Sequence, residues 1–164
     1  MTALVVLERV TFTYAGAVRP ALADVSLEIA AGDVMAVTGE SGAGTSTLLL
    51  VATGFAPRVV GGTLAGTRCI AARRCGVVFA RPWTQLTGLC STVRDEVAFG
   101  PASLGLPRAA VVAAARNAME TLHIEQLAGR EPSHLSGGEL QRVVVAAAVL
   151  RIRTLRLRYR QRRS

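Results

Sequence analysis

Nine residues, Gly39-Glu40-Ser41-Gly42-Ala43-Gly44-Thr45-Ser46-Thr47, restrict the fold of this chain more than any other stretch. An apolar run, Asp33 to Thr38, leads in and reads as a strand. Ser46 to Val51 leads out and reads as a helix. Glycines at 39, 42 and 44 let the backbone turn tightly and aim its N–H groups inward. At a helix start such a turn is a nest for phosphate oxygens, and the helix dipole adds positive potential. The pattern G-x-x-x-x-G-K-[ST] is met at every required position but one. Thr45 stands where the Lys belongs, and Ser46 keeps the hydroxyl suited to Mg²⁺. A Gly/Ser-rich turn without a ligand is the plainer alternative, and three glycines at these offsets weigh against it.

The absent Lys has a physical consequence. Its ammonium offsets the charge of the β- and γ-phosphates. A threonine hydroxyl gives one neutral hydrogen bond, roughly half as strong as a charge-assisted one. The chain contains no Lys anywhere, so no neighbouring lysine substitutes for it.

The chain has 164 residues, enough for one domain with a substantial core. Its net charge of +8 is unevenly placed. Residues 1–150 carry 12 Arg and 11 acids, whereas 151–164 carry 7 Arg and no acid. Basicity therefore belongs to a tail and not to a domain face. Cys69, Cys75 and Cys90 show no C-x-x-C spacing and, with no export pattern at the N-terminus, read as reduced thiols, a metal site made by them with His123 being the lesser alternative. No run approaches the ~18 apolar residues of a membrane span.

Residues 4–14 read as a strand, with Val10, Phe12 and Tyr14 alternating, and 21–29 as a second. Residues 46–54 read as the helix after the loop. Residues 56–67, with Pro57, Gly61, Gly62 and Gly66, read as a loop or short hairpin. Gly76 to Phe79 reads as a short buried parallel strand. Pro107 starts a helix over 108–122. His123 and His134 read as ordinary loop histidines.

The order strand, strand, turn, strand, phosphate loop, helix resembles the ATP-binding subunits of ABC transporters. That resemblance implies adenine stacking for Tyr14; the alternative is a ring packed at a strand end. Phe79-Ala80-Arg81-Pro82-Trp83-Thr84-Gln85-Leu86 resembles the family's Q-loop region, in the version of energy-coupling-factor and cobalt-type importers. Pro82, Gln85 and Leu86 match. Ala80 stands where a Gln should touch Mg²⁺ and water, and Gln85 is the one nearby amide able to swing in. Trp83 is either a contact to a membrane partner or a packed ring. Leu135-Ser136-Gly137-Gly138-Glu139-Leu140-Gln141-Arg142 matches the ABC signature, with Val143 to Leu150 continuing as an apolar helix. The resemblance implies that Leu135, Ser136, Gly137, Gly138 and Glu139 close over the phosphate loop of an opposing subunit.

After Leu150 the resemblance ends. The family pattern calls for a buried strand closing in Asp and Glu, then a loop Asp, then a His. Here the last acid is Glu139 and the last His is His134. In 151–164 Leu155, Leu157 and Tyr159 alternate with Arg, which fails as a strand buried on both faces. The tail is expected to be exposed or disordered. Its origin is either a change of reading frame near residue 150 or a genuine basic tail for acidic lipid or nucleic acid.

The expected fold is α/β: a P-loop NTPase-like parallel core sheet with an antiparallel β subdomain and a helical subdomain, its C-terminal strands missing. Residues 1–150 form the partial domain, with a helical subdomain at about 90–142. The resemblance implies ATP and Mg²⁺ as ligands, held by Tyr14, Gly39, Glu40, Ser41, Gly42, Ala43, Gly44, Thr45, Ser46 and Thr47, with Ser46 on the metal. It implies a second ATP-binding subunit and a transmembrane transporter subunit as partners, and a cytoplasmic place on the inner face of the membrane. It assigns no catalytic residue to this chain. Three readings stand: a degenerate ABC ATPase that binds ATP weakly and does not hydrolyse it alone; a non-catalytic subunit that lends its signature; and an inert product with a basic tail.

Overall fold

A computed structural model describes residues 3–71 and 75–161, with side chains among them as far as residue 150. The chain divides into two compact units, residues 1–75 and 76–164.

The first unit is built on β1 (Ala3–Tyr14), β2 (Leu22–Ala30) and β3 (Gly62–Ile70), an antiparallel sheet in the order β2-β1-β3. Helix α1 (Thr45–Ala52) packs Val51 and Ala52 onto Val5, Leu7, Val10, Phe12 and Leu22. The step from Leu7 to Val10 breaks the two-residue period of a strand. A bulge absorbs it: register shifts fall there on both flanks of β1, and Arg9 sits at φ 50°. Val10 and Phe12 thereby stay on the core face. Gly66 opposes the bulge at φ 89°, and a Cβ there would lie 2.4 Å from the Arg9 carbonyl oxygen. That close approach explains why a glycine interrupts β3.

The second unit is helical: α2 (Val93–Ser103), α3 (Arg108–Thr121) and α4 (Gly137–Gln161). They bury Val93, Val97, Ala115, Met119, Ile124, Val143, Ala146 and Leu150 together. Thr92 caps α2, accepting from the Asp95 N–H at 3.2 Å and donating to its carboxylate at 2.6 Å. Glu96, 5% exposed, accepts from the Thr87 N–H at 2.7 Å and the Thr87 hydroxyl at 2.8 Å, so the 87–91 loop is tied to α2.

The class is α/β, and three expectations need correction. The sheet among the described residues is wholly antiparallel. Residues 33–38 and 76–79, expected as parallel core strands, run without ladder partners. A parallel strand exists only by pairing, and no strand follows β3 among the described residues. The stretch at 56–67, expected as a loop or short hairpin, becomes β3 from Gly62 onward. The tail expected to be exposed or disordered after residue 150 is helical backbone to Gln161. Leu and Arg are good helix formers, and no Gly or Pro stops α4 as it leaves Leu150. Residues 162–164 lie outside the described residues.

Candidate functional site: the phosphate loop and the signature turn

The loop takes the shape that its glycines allow. Gly42 and Gly44 sit at φ 86° and 88°, in the left-handed region. At Gly42 an added Cβ would meet nothing within 4 Å. At Gly44 it would lie 2.5 Å from the Ala21 carbonyl oxygen and 3.1 Å from Leu22 Cδ2, so the chain passes too close to β2 for any side chain. Inside the loop the Ala43 N–H donates to the Glu40 carbonyl at 3.0 Å.

Gly44 is also the N-cap of α1, and no side chain caps that helix. The Leu48 N–H donates to the Gly44 carbonyl at 2.8 Å. The N–H groups of Thr45, Ser46 and Thr47 therefore have no intrahelical acceptor. Such donors, with the helix dipole behind them, favour an anion. The Ser46 side chain is exposed, while Thr45 turns its methyl to within 3.3 Å of where a Cβ on Gly39 would sit. The loop fits a phosphate cradle with a free hydroxyl at the metal position and no cation at the lysine position.

Tyr14 ends β1 and is held from two directions. Its hydroxyl lies 2.9 Å from Thr47 Oγ1, and its ring meets Phe12 edge-on with centroids 5.0 Å apart. This geometry fixes the ring beside the helix of the phosphate loop. The Tyr14–Thr47 bond was not legible from sequence, since nothing local links residues 33 positions apart.

Gln85 does not swing free. Its amide oxygen accepts from the Phe79 N–H at 2.7 Å, and its amide N–H donates to the Val77 carbonyl at 2.7 Å. The side chain thus acts as a one-residue ladder partner for 77–79. Trp83, in a short 3-10 turn over Pro82–Gln85, is 59% exposed, which removes the packed-ring alternative.

The signature residues form a reciprocal cap at the start of α4. Ser136 Oγ donates to Glu139 Oε2 at 2.7 Å, and the Ser136 N–H donates to the same oxygen at 2.8 Å. The Glu139 N–H approaches Ser136 Oγ at 3.4 Å. This is the S-x-x-E capping box. Arg130 adds an ion pair to Glu139 Oε1 at 3.3 Å and donates to the His134 carbonyl at 2.8 Å. The Ser136 hydrogen bonds, assisted by Arg130 and Arg142, hold the Glu139 carboxyl below its usual range. Burial raises the thiols of Cys75 and Cys90.

The sequence pattern of the ABC transporter family matches residues 22–157, which span both the phosphate loop and the signature turn. The chain belongs to the ABC transporter family. Among its relatives, the energy-coupling factor transporter ATP-binding protein EcfA of Enterococcus faecium is 35% identical over 157 residues, covering 91% of this chain and 56% of the relative. EcfA1 of Lacticaseibacillus paracasei is 36% identical over 149 residues, covering 87% of this chain and 53% of the relative. The chain thus spans about half the length of these relatives. CbiO1 of Clostridium perfringens, part of the ABC transporter complex cbiONQ, superposes with a TM-score of 0.78 at 24% identity, over 92% of this chain and 62% of that one. The ABC transporter cassette MJ0796 superposes with a TM-score of 0.73 at 24% identity, over 90% of this chain and 69% of that one. At this identity the superpositions speak for the fold. The family match runs seven residues past Leu150, where the resemblance read from sequence stops.

Proposed function

We propose that this chain is part of the ATP-binding component of an energy-coupling-factor-type importer, binding ATP weakly and not hydrolysing it alone. The observation that carries the reading is the left-handed Gly42–Gly44 turn ahead of the uncapped first turn of α1. Residues 1–150 make the partial domain, with its helical part at about 90–142. Bound ATP would supply the phosphate charge that Mg²⁺ shares. The N–H groups from Gly39 to Thr47 would cradle the phosphates, Ser46 would hold Mg²⁺, and Tyr14 would lie against adenine. Thr45 contributes no charge at the lysine position, and Ala80 offers no amide at the Q-loop position. By analogy with EcfA and with the CbiO1 complex, the partners are a second ATP-binding subunit and a transmembrane subunit. The place of action is the cytoplasmic face of the membrane. No described helix is long and apolar enough to cross one.

The test is ATP binding to the full chain by calorimetry with Mg²⁺ present. Thr45→Lys should tighten binding by about tenfold, the gain of one charge-assisted contact. Unchanged affinity in Thr45→Lys shows that the cradle is not a phosphate site.

A second reading has its own observation: Ser136 and Gly137 to Gly138 are exposed and ordered by a complete capping box. Such a turn suits a chain that lends its signature to an intact ATPase subunit. ATPase activity of an intact subunit that rises with this chain, and falls with Ser136→Arg, selects this reading.

A further inference from the structure

The hydroxyls of Tyr14 and Thr47 meet at 2.9 Å. Thr47 is the third residue of α1, and together with Glu96 it makes up the polar side chains buried among the described residues. A hydroxyl withdrawn from water needs a hydrogen-bond partner, and the Tyr14 hydroxyl is that partner. Tyr14 itself is only half-buried, so part of its ring faces water. The other contact on the ring is Phe12, met edge-on. Phe12 is fully buried and cannot give way, because it lies under the backbone of Gly62, where an added Cβ would come within 2.7 Å of Phe12 Cζ. The ring of Tyr14 is thus fixed at its edge by the sheet and at its hydroxyl by the helix. That helix turn is the one whose N–H groups lack intrahelical acceptors. One hydrogen bond therefore joins the half-exposed ring at the end of β1 to the start of the phosphate cradle.

From this geometry we infer that Thr47 is a positioning residue for the nucleobase: its hydroxyl holds the Tyr14 ring ready for stacking before a nucleotide arrives. The inference rests on the phosphate-cradle reading given above. The gain is preorganisation. An aromatic side chain left free at a strand end must be ordered when a base stacks on it, and that ordering opposes binding. The Thr47 tether orders the ring in advance. The effect is separable from the cradle itself. Inorganic tripolyphosphate meets the N–H groups of α1 but carries no base, so the state of the Tyr14 ring is of no consequence to it.

The experiment titrates the full chain with ATP and, separately, with tripolyphosphate, both with Mg²⁺, and reads the amide shifts of Thr45 and Ser46 by NMR. Thr47→Val keeps the shape of the side chain and removes the hydroxyl. It should weaken ATP binding about fivefold, the cost of ordering one side chain, and leave tripolyphosphate binding unchanged. Thr47→Ser keeps the hydroxyl and should restore ATP binding. Tyr14→Phe keeps the ring and loses the tether, so it should match Thr47→Val, and the double variant should lose no more than either single one. A fold defect in α1 would weaken both probes alike, so the contrast between them is the readout that a merely structural Thr47 would not move. Equal loss of both probes in Thr47→Val, unchanged ATP binding in that variant, no rescue by Thr47→Ser, or additive losses in the double variant would each overturn the inference and leave the cradle standing. A chain that binds no tripolyphosphate overturns the cradle reading, and this inference with it.

Discussion

Gly44 and Gly42 share a backbone conformation but not an environment, and the pair separates two costs. Gly42→Ala places a Cβ in open space at φ 86°, so it costs only the left-handed strain, about 1–2 kcal/mol. Gly44→Ala pays the same strain and also drives a methyl to 2.5 Å from the Ala21 carbonyl oxygen. Relief requires Ala21 to move, and its N–H donates to the Phe12 carbonyl at 2.8 Å in the first bond of the β1–β2 pair. Losing that bond adds about 1 kcal/mol, and displacement of Leu22 from the core adds about another. Gly44→Ala should therefore cost about 3–4 kcal/mol, some 2 more than Gly42→Ala. Hydrogen exchange of the α1 amides Leu48 to Val51 is the assay. Gly44→Ala should speed them about 30-fold more than Gly42→Ala does. Equal acceleration in the two variants would refute the claim that close approach to β2, rather than φ alone, requires glycine at 44.

Other consequences are more local. The Glu139 carboxyl is held low in the folded chain, so its stabilisation of the α4 start is complete above the ordinary Glu range, about pH 4.3, and is lost as pH falls through the folded value. Acid-induced loosening of the amides that follow Ser136 should therefore vanish in Glu139→Gln. Gln85→Leu removes two hydrogen bonds of about 1 kcal/mol each and should speed exchange of the Phe79 amide by tenfold or more; unchanged exchange there would show that the clip is not formed. Thr92→Ala should cost about 1 kcal/mol in urea unfolding and Thr92→Ser much less, because only the hydroxyl caps α2.

What the sequence made legible was what neighbours in the chain decide. The phosphate loop is set by three glycines within six residues. The start of α3 is set by Pro107, and the alternation of Val10, Phe12 and Tyr14 reports one face of β1. The misses have a common cause. Residues 33–38 and 76–79 have strand composition, but a strand is a pairing, and no described residue pairs with them. Gly66 looked like a loop residue because its real role, clearing the Arg9 carbonyl, depends on a residue 57 positions earlier. The clip made by Gln85 was invisible for a different reason: the amide was read as able to swing in for the Gln missing at Ala80, whereas two local backbone groups already satisfy it. The end of the helical region was placed at Leu150 on composition, and helix propensity carries the backbone further.

The two helix-start turns of this chain, at α1 and α4, are physically unequal, and the inequality follows from one residue. At α1 the first-turn donors have no side-chain acceptor. An arriving anion there displaces only water. At α4 it is the cap residue that is held by an anion of the chain's own, since Glu139 accepts from both the N–H and the hydroxyl of Ser136. An anion arriving at Ser136 must compete with that carboxylate or draw Glu139 aside toward Arg130, which already holds its other oxygen at 3.3 Å. The signature turn is held by Glu139 until something offers Ser136 more than that carboxylate does.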